Sequence, residues 1–290
     1  MNYRHQYHAG NYADVFKHVL LGPIVAGLQR KEKGFVYVDT HAGRGRYELG
    51  AAHLLPDGRE RPPEWPAGLG RVWDATGLPA ELAAYVAAVR AFNERHGGGA
   101  DPAWYPGSPW IVRARLRPQD RAVLCELRPE EAEALAIEFG RERRVEVRAT
   151  DGYAALRALL PPPEKRALVL IDPPFESATE FADLAGALAE ARRRFPSGTY
   201  VVWYPITERA RSDRFLADLA RTPDAPPMLA AELQVAGDSA QVRMKGCGLL
   251  VLNPPWRIEE EFRALLPVLA ERLRADAGRS WRLTWPVPER

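Results

Sequence analysis

A chain of 290 residues, 46% of them hydrophobic, can bury a full core and is long for one compact domain, so one domain carrying an insertion is the expected plan. The net charge of +2 is too small to argue for a nucleic-acid partner by itself, and 35 arginines against five lysines, with abundant alanine, glycine and proline, match what a GC-rich genome produces. No apolar run is long enough to span a membrane, MNYRHQYHAG lacks a signal-peptide stretch, and Cys125 and Cys247 sit in apolar strand-like text as free thiols, so a cytoplasmic protein without disulfide or redox chemistry is expected.

In chain order, NYADVFKHVLLGPIVAGLQR reads as a helix capped by Asp14, with Val15, Val19 and Leu20 on one face and Pro23 forcing a kink or restart. GFVYVDTHAGRGRY is an apolar strand ending in an acid and a glycine turn. Residues 46–107 then break the rhythm. A proline-rich loop (PDGRERPPEWP), an alanine-rich amphipathic helix (PAELAAYVAAVRAFNERH) and a GGGADP hinge make a small helical insertion. YPGSPWIVRARL announces a helix with Ser108 as N-cap and Pro109 at its first position.

Six more strand-like runs follow: RAVLCEL (121–127), VEVRAT (145–150), ALVLID (167–172), TYVVWYP (199–205), MLAAELQV (228–235) and CGLLVLN (247–253). Helical text such as EEAEALAIEFGRE, TEFADLAGALAEARRRF and RSDRFLADLAR alternates with them, while only AGDSAQVRMKG separates the last two. The expectation is an α/β, doubly wound, Rossmann-like methyltransferase sheet of seven strands, five parallel and then a hairpin that makes the last one antiparallel. That domain is built from residues 1–45 and 108–290, with 46–107 as the insertion subdomain after the first strand.

In such a sheet ligands collect at the carboxyl ends of the parallel strands. Strand one delivers Asp39 and the turn THAGRG, where Gly43 and Gly45 let backbone approach a ligand. Glu126 closes strand two, where a carboxylate can accept both hydroxyls of a ribose for roughly 1.5–3 kcal/mol. Asp151 and Gly152 follow strand three, where a short acid reaches an adenine amino group. Each has a bland alternative (a turn glycine, a surface glutamate, a helix cap), yet the set, joined by LIDPPFE at strand four, points to S-adenosylmethionine. A dinucleotide would require a third glycine where this turn reads GRGRY.

The DPPF phrase suits an exocyclic amino nitrogen, a poor nucleophile because its lone pair is delocalised into the ring. Asp172 accepts one amino hydrogen, a carbonyl of Pro173 or Pro174 the other, and Phe175 stacks on the base for about 1–3 kcal/mol. Positioning of this kind removes roughly 7–11 kcal/mol of barrier. The similar LVLNPPW ends an antiparallel strand, far from that site, so Asn253 to Trp256 reads as a turn with a packing tryptophan. Four of the six histidines (His5, His8, His18, His41) lie in the first 41 residues beside Tyr3, Arg4 and Lys17. Without a cysteine or carboxylate set of ligand spacing, no metal is expected, and service to the cofactor mouth or an RNA backbone explains them better.

The phrases YRHQYHAGNYADVFKH, DTHAGRGRYELG, YPGSPWI, LIDPPFE, WYPI and VLNPPW, in that order and over nearly the whole chain, resemble the RlmJ family of bacterial 23S rRNA adenine-N6 methyltransferases. That resemblance implies cofactor contacts at His18, His41, Ser108, Glu126, Asp151, Gly152 and Asp172, with Asp172 also the catalytic acid. It implies RNA contact at Tyr3, and Arg4 and Lys17 are placed with it. It implies 23S rRNA as partner; no membrane or metal partner is expected from the residues, and a monomer is expected. Phe175 stands where the family often has tyrosine, keeping the stacking face and losing a hydroxyl. The competing readings are methylation of another planar amino group (guanine N2, DNA adenine N6, protein glutamine) and a non-catalytic RNA-binding module.

Overall fold

Strands covered on both faces read as continuous apolar runs, and two such runs form the centre of the molecule. Val36–Asp39 (β1) and Ala167–Ile171 (β4) are buried at every residue and pair in parallel, Val36 opposite Ala167 and Asp39 opposite Leu170. The computed structural model describes residues 5–50, 53–54, 60–237, 242, 244–274 and 280–289. Around the central pair lie Arg121–Glu126 (β2), Val145–Ala149 (β3), Thr199–Ile206 (β5), Met228–Gln234 (β6), Gly246–Leu252 (β7) and Ser280–Val287 (β8). Their order is β8-β6-β7-β5-β4-β1-β2-β3.

β1 to β5 are parallel, β7 runs antiparallel to β5, and β6 pairs antiparallel with β7. The five parallel strands and the closing hairpin expected from the sequence are therefore present. The chain leaves β1 toward β2 and β3 on one side and returns for β4 and β5 on the other, which opens a crevice at the carboxyl ends of β1 and β4. The count of seven strands needs correcting to eight, because β8 adds to β6 as an antiparallel edge. Its text SWRLTWPV lacks the continuous apolar run of the interior strands, and its residues are exposed or half-buried.

Besides a single turn at Gly70–Trp73, the α-helices among the described residues are Tyr12–Gln29 (α1), Ala80–Arg95 (α2), Ser108–Arg113 (α3), Pro129–Phe139 (α4), Gly152–Leu159 (α5), Glu180–Arg194 (α6), Arg209–Ala220 (α7) and Ile258–Arg272 (α8). Side chains from α1, α2, α3, α4 and α8 share one core, and those from α5, α6 and α7 share the core on the opposite face. None of the helices among the described residues is long and apolar enough to cross a membrane. Both cysteines are buried and free.

Two expectations about α1 change. Its cap is Asn11, whose side chain accepts from the amides of Ala13 and Asp14, so Asp14 falls inside the first turn. Pro23 does not restart the helix, because burial along nearly the whole of α1 offsets one missing donor. At α3 the cap is Gly107, leaving the Ser108 hydroxyl for another partner.

The excursion after β1 is closed at its neck. Arg46–Glu48 pairs antiparallel with Trp104–Pro106, and α2 sends Leu82, Tyr85 and Val89 into the core that holds Val15 and Leu20 of α1. Part of the PDGRERPPEWP loop lies outside the described residues.

The NPPW phrase sits at the other end of the sheet from the crevice. Asn253 follows the antiparallel β7, donates its amide to the carbonyls of Pro196 and Gly198 at 2.8 Å each, and so anchors the start of β5. Its φ of +48° is a left-handed conformation that asparagine tolerates. Trp256 does not pack inside as expected; it is 70% exposed, with the guanidinium groups of Arg30 and Arg257 at 5.6 and 5.4 Å from its ring. Asn253→Ala is therefore expected to lower unfolding free energy by about 2 kcal/mol in denaturant titration, with turnover per folded molecule unchanged. A loss of turnover without a loss of stability would move the phrase into the site.

Candidate functional site

Asp172 is the residue after β4, and the Pro173-Pro174 turn delivers Phe175 with φ +49°, a left-handed conformation strained for a bulky residue. The Asp172 carboxylate is gripped from α1: Lys17 Nζ donates to its Oδ2 at 2.5 Å and to Asp14 Oδ1 at 3.1 Å. Burial alone would push the Lys17 ammonium down, but Asp172 and Asp14 outweigh it and hold it well above the ordinary lysine range. Burial likewise works against the charge of Asp14, yet His5 and Lys17 keep its carboxyl well below its usual value. The expectation that Lys17 faces RNA is thereby corrected: its side chain is buried and committed to two carboxylates. No other described residue is bonded to Asp172, so Oδ1 keeps its lone pairs.

At the end of β1, Asp39 is fully buried and accepts from Tyr37 Oη at 2.7 Å, Ser108 Oγ at 2.6 Å and the His41 amide at 3.3 Å. Burial pushes its carboxyl up to about 6 despite those donors. Asp39 thus stands behind the cleft wall and shapes it, rather than lining it as the sequence suggested. His41 does line the cleft, with Nδ1 at 2.8 Å from Thr40 Oγ1, its ring 5.2 Å from that of Tyr153, and burial pushing it down to about 4. His18, next to the cleft-lining Lys17, is not itself among the lining residues; its Nδ1 is 2.8 Å from Tyr105 Oη and its buried Nε2 has no partner among the described residues.

Glycines set the spacing at two points. Gly43 has φ +61°, and its amide donates to Glu126 Oε2 at 2.9 Å; the other Glu126 oxygen accepts from the Arg128 amide at 2.8 Å. A Cβ on Gly152 would lie 2.0 Å from the Thr40 carbonyl oxygen, so only glycine lets α5 start against β1. Asp151 caps α5 by accepting from the Ala154 amide at 2.9 Å through one oxygen, and the residue lines the cleft. The helix-cap alternative for Asp151 therefore holds alongside its place in the wall.

One cleft of about 2020 Å³ gathers these features: His41, Gly43, Ser108, Glu126, Asp151 and Gly152 on one side, Lys17 and the Asp172 to Phe175 turn on the other. It is larger than a single small-ligand pocket needs. Sequence reading missed Trp203 in the second half of β5, which lines the cleft with its ring 5.8 Å from Phe175, and the Tyr153–Glu180 hydrogen bond of 2.8 Å in its wall. Trp203 in WYPI lies one residue past Val202, the partner of the last β4 residue Ile171, and its place in the strand next to β4 was the available signal. Tyr3 and Arg4 lie outside the described residues.

The Asp39 carboxyl has a raised value when folded, so the stability it contributes is fully present below the unfolded value near 3.9 and is lost as pH rises through about 6. Asp39→Asn is expected to abolish that decline, on the order of 2 kcal/mol between pH 4 and 7, in denaturant titrations of the two proteins across this window. Parallel stability profiles would show that the buried carboxyl titrates as it does in the unfolded chain.

A family model described as "Ribosomal RNA large subunit methyltransferase D, RlmJ" matches residues 32–287. Two proteins named "Ribosomal RNA large subunit methyltransferase J", from Escherichia coli (strain K12) and Haemophilus influenzae, are each 40% identical to this chain over 289 residues, covering 100% of both sequences. A crystal structure of protein LPL1258 from Legionella pneumophila superposes with a TM-score of 0.84 at 34% identity, over 96% of this chain and 98% of that one. With the methyltransferase sheet, the DPPF turn and its cleft already in place, these matches show that the chain belongs to the RlmJ family of ribosomal RNA large subunit methyltransferases.

Proposed function

We propose that the chain transfers a methyl group from S-adenosylmethionine to the exocyclic N6 of an adenine in 23S rRNA. The observation that carries this reading is the Asp172 carboxylate, with one oxygen held by Lys17 and the other open, at the mouth of a cleft shared with Glu126, Asp151, Ser108 and His41. The family membership supports the reaction class and the RNA substrate.

The residues present fit the cofactor. Glu126 suits ribose hydroxyls, Asp151 an adenine amino group, and Ser108, His41 and Gly43 the close backbone and polar contacts at the β1 end. His18 is next in sequence to the cleft-lining Lys17, and its buried Nε2, with no partner among the described residues, is a polar atom that a bound ligand would satisfy. When bound, S-adenosylmethionine supplies a methyl group on a sulfonium sulfur, and transfer forms an N–C bond as the S–C bond breaks.

The chain's own part is to hold the amino group. Asp172 Oδ1 accepts one amino hydrogen and a proline carbonyl the other, which draws electron density onto nitrogen and fixes its direction. Lys17 holds the carboxylate still. Phe175, braced by Phe181 at 4.8 Å and Trp203 at 5.8 Å between ring centroids, offers a stacking face to the base. Tyr3 and Arg4 remain the RNA contacts of this reading, without Lys17.

Labelled S-adenosylmethionine and unmodified 23S RNA are expected to yield labelled N6-methyladenine, and Asp172→Ala to lower turnover on the order of 10²–10⁴-fold. Phe175→Ala should reduce turnover more than it weakens S-adenosylhomocysteine binding by calorimetry. Label on guanine, DNA or protein, or full activity in Asp172→Ala, would replace this reading with one of its rivals.

A further inference from the structure

Three buried rings form a chain of hydrogen bonds that starts in the insertion and ends at His18, the neighbour of the cleft-lining Lys17. Tyr85 on α2 has its hydroxyl 2.9 Å from that of Tyr105, and Tyr105, in the closing strand of the neck, has its hydroxyl 2.8 Å from His18 Nδ1. Tyr105 also stacks on His18, ring centroids 5.7 Å apart and planes 24° from parallel. All three residues are at most 2% exposed, so bulk water does not reach them. Burial raises both phenols and pushes the imidazole down to about 3, so each hydroxyl keeps its proton and His18 is neutral.

A neutral imidazole carries one proton, and the chain can run in two directions. If His18 donated from Nδ1, Tyr105 would donate to Tyr85, leaving the Tyr85 proton without an acceptor and the Nε2 lone pair unused. In the opposite sense Tyr85 donates to Tyr105, Tyr105 donates to Nδ1, and the orphan donor is the Nε2–H. Each sense leaves one buried donor unpaired, but the second is favoured because a phenol is a stronger donor than an imidazole N–H and an imidazole nitrogen a stronger acceptor than a phenol oxygen; it leaves the open proton on Nε2, which has no partner among the described residues.

We infer that Tyr85 and Tyr105 are positioning residues that hold His18 as the Nε2–H tautomer, a pure donor for an acceptor oxygen of the bound cofactor. The insertion thus sets cofactor affinity through side chains that never meet the ligand. The role in binding rests on the cofactor assignment proposed above; the tautomer does not.

Long-range ¹H–¹⁵N spectra of the ligand-free chain, with His18 assigned by its loss in His18→Gln, are expected to show the Nε2–H pattern, and Tyr105→Phe to turn it into a mixture. Tyr105→Phe should weaken S-adenosylhomocysteine roughly tenfold and raise KM for S-adenosylmethionine more than it lowers kcat, with Tyr85→Phe moving both in the same direction by less. An Nδ1–H pattern in the wild type, or an unchanged pattern and affinity in the Tyr105→Phe protein, overturns the relay. If Tyr105→Phe does not fold, the wild-type spectrum and Tyr85→Phe decide by the same criteria. A wild type that shows Nε2–H yet leaves S-adenosylhomocysteine unbound overturns the cofactor assignment and the binding role together, while the relay stands.

Discussion

One buried ammonium ion joins the first helix to the mouth of the fourth strand. Lys17 lies between Asp14 and Asp172, residues separated along the chain by most of the parallel sheet, and the three charges share a site from which water is largely excluded. Buried charges persist only when paired, and stripping one partner from such a set costs about 3–5 kcal/mol. The arrangement therefore demands that α1 dock at one height against β4. The Asn11 cap supplies that height by fixing where the helix begins, so that Asp14 and Lys17, three residues apart, fall on the same side.

The same demand for close approach explains the glycine and acid features around the cleft. Gly152 lets α5 start within contact of the Thr40 carbonyl, and Gly43 turns its amide onto Glu126. The acids near the strand ends divide into two layers. Glu126, Asp151 and Asp172 reach the cleft, while Asp39 is spent on orienting Ser108, Tyr37 and the His41 backbone. The first layer can meet a ligand; the second fixes the shape that the ligand meets.

Much of this was legible because parallel strands advertise themselves: runs such as ALVLI are apolar at every position, and the residue that follows each is by topology near the crevice. DPPF was readable for that reason, and NPPW could be set aside because its strand reverses direction. Depth was not legible. Nothing in the spacing of Asp39 or His18 distinguishes a wall from its backing, and Lys17 looked like a surface cation because its partner Asp172 is 155 residues away. The eighth strand escaped for a different reason, since as an edge strand its SWRLTWPV is only half-buried and carries no continuous apolar run. Trp203 was visible as an aromatic within a strand, but its meeting with Phe175 depends on the β4–β5 register.

The short ribbon of Arg46–Glu48 against Trp104–Pro106 has an evolutionary corollary. By zipping the two ends of the excursion together, it makes everything beyond the zipper a loop whose closure cost grows only logarithmically, about 0.6 kcal/mol per doubling of length. Homologous chains can therefore lengthen, trim or rewrite the outer part of that loop with little penalty, while the distance between the first two strands of the sheet stays constant.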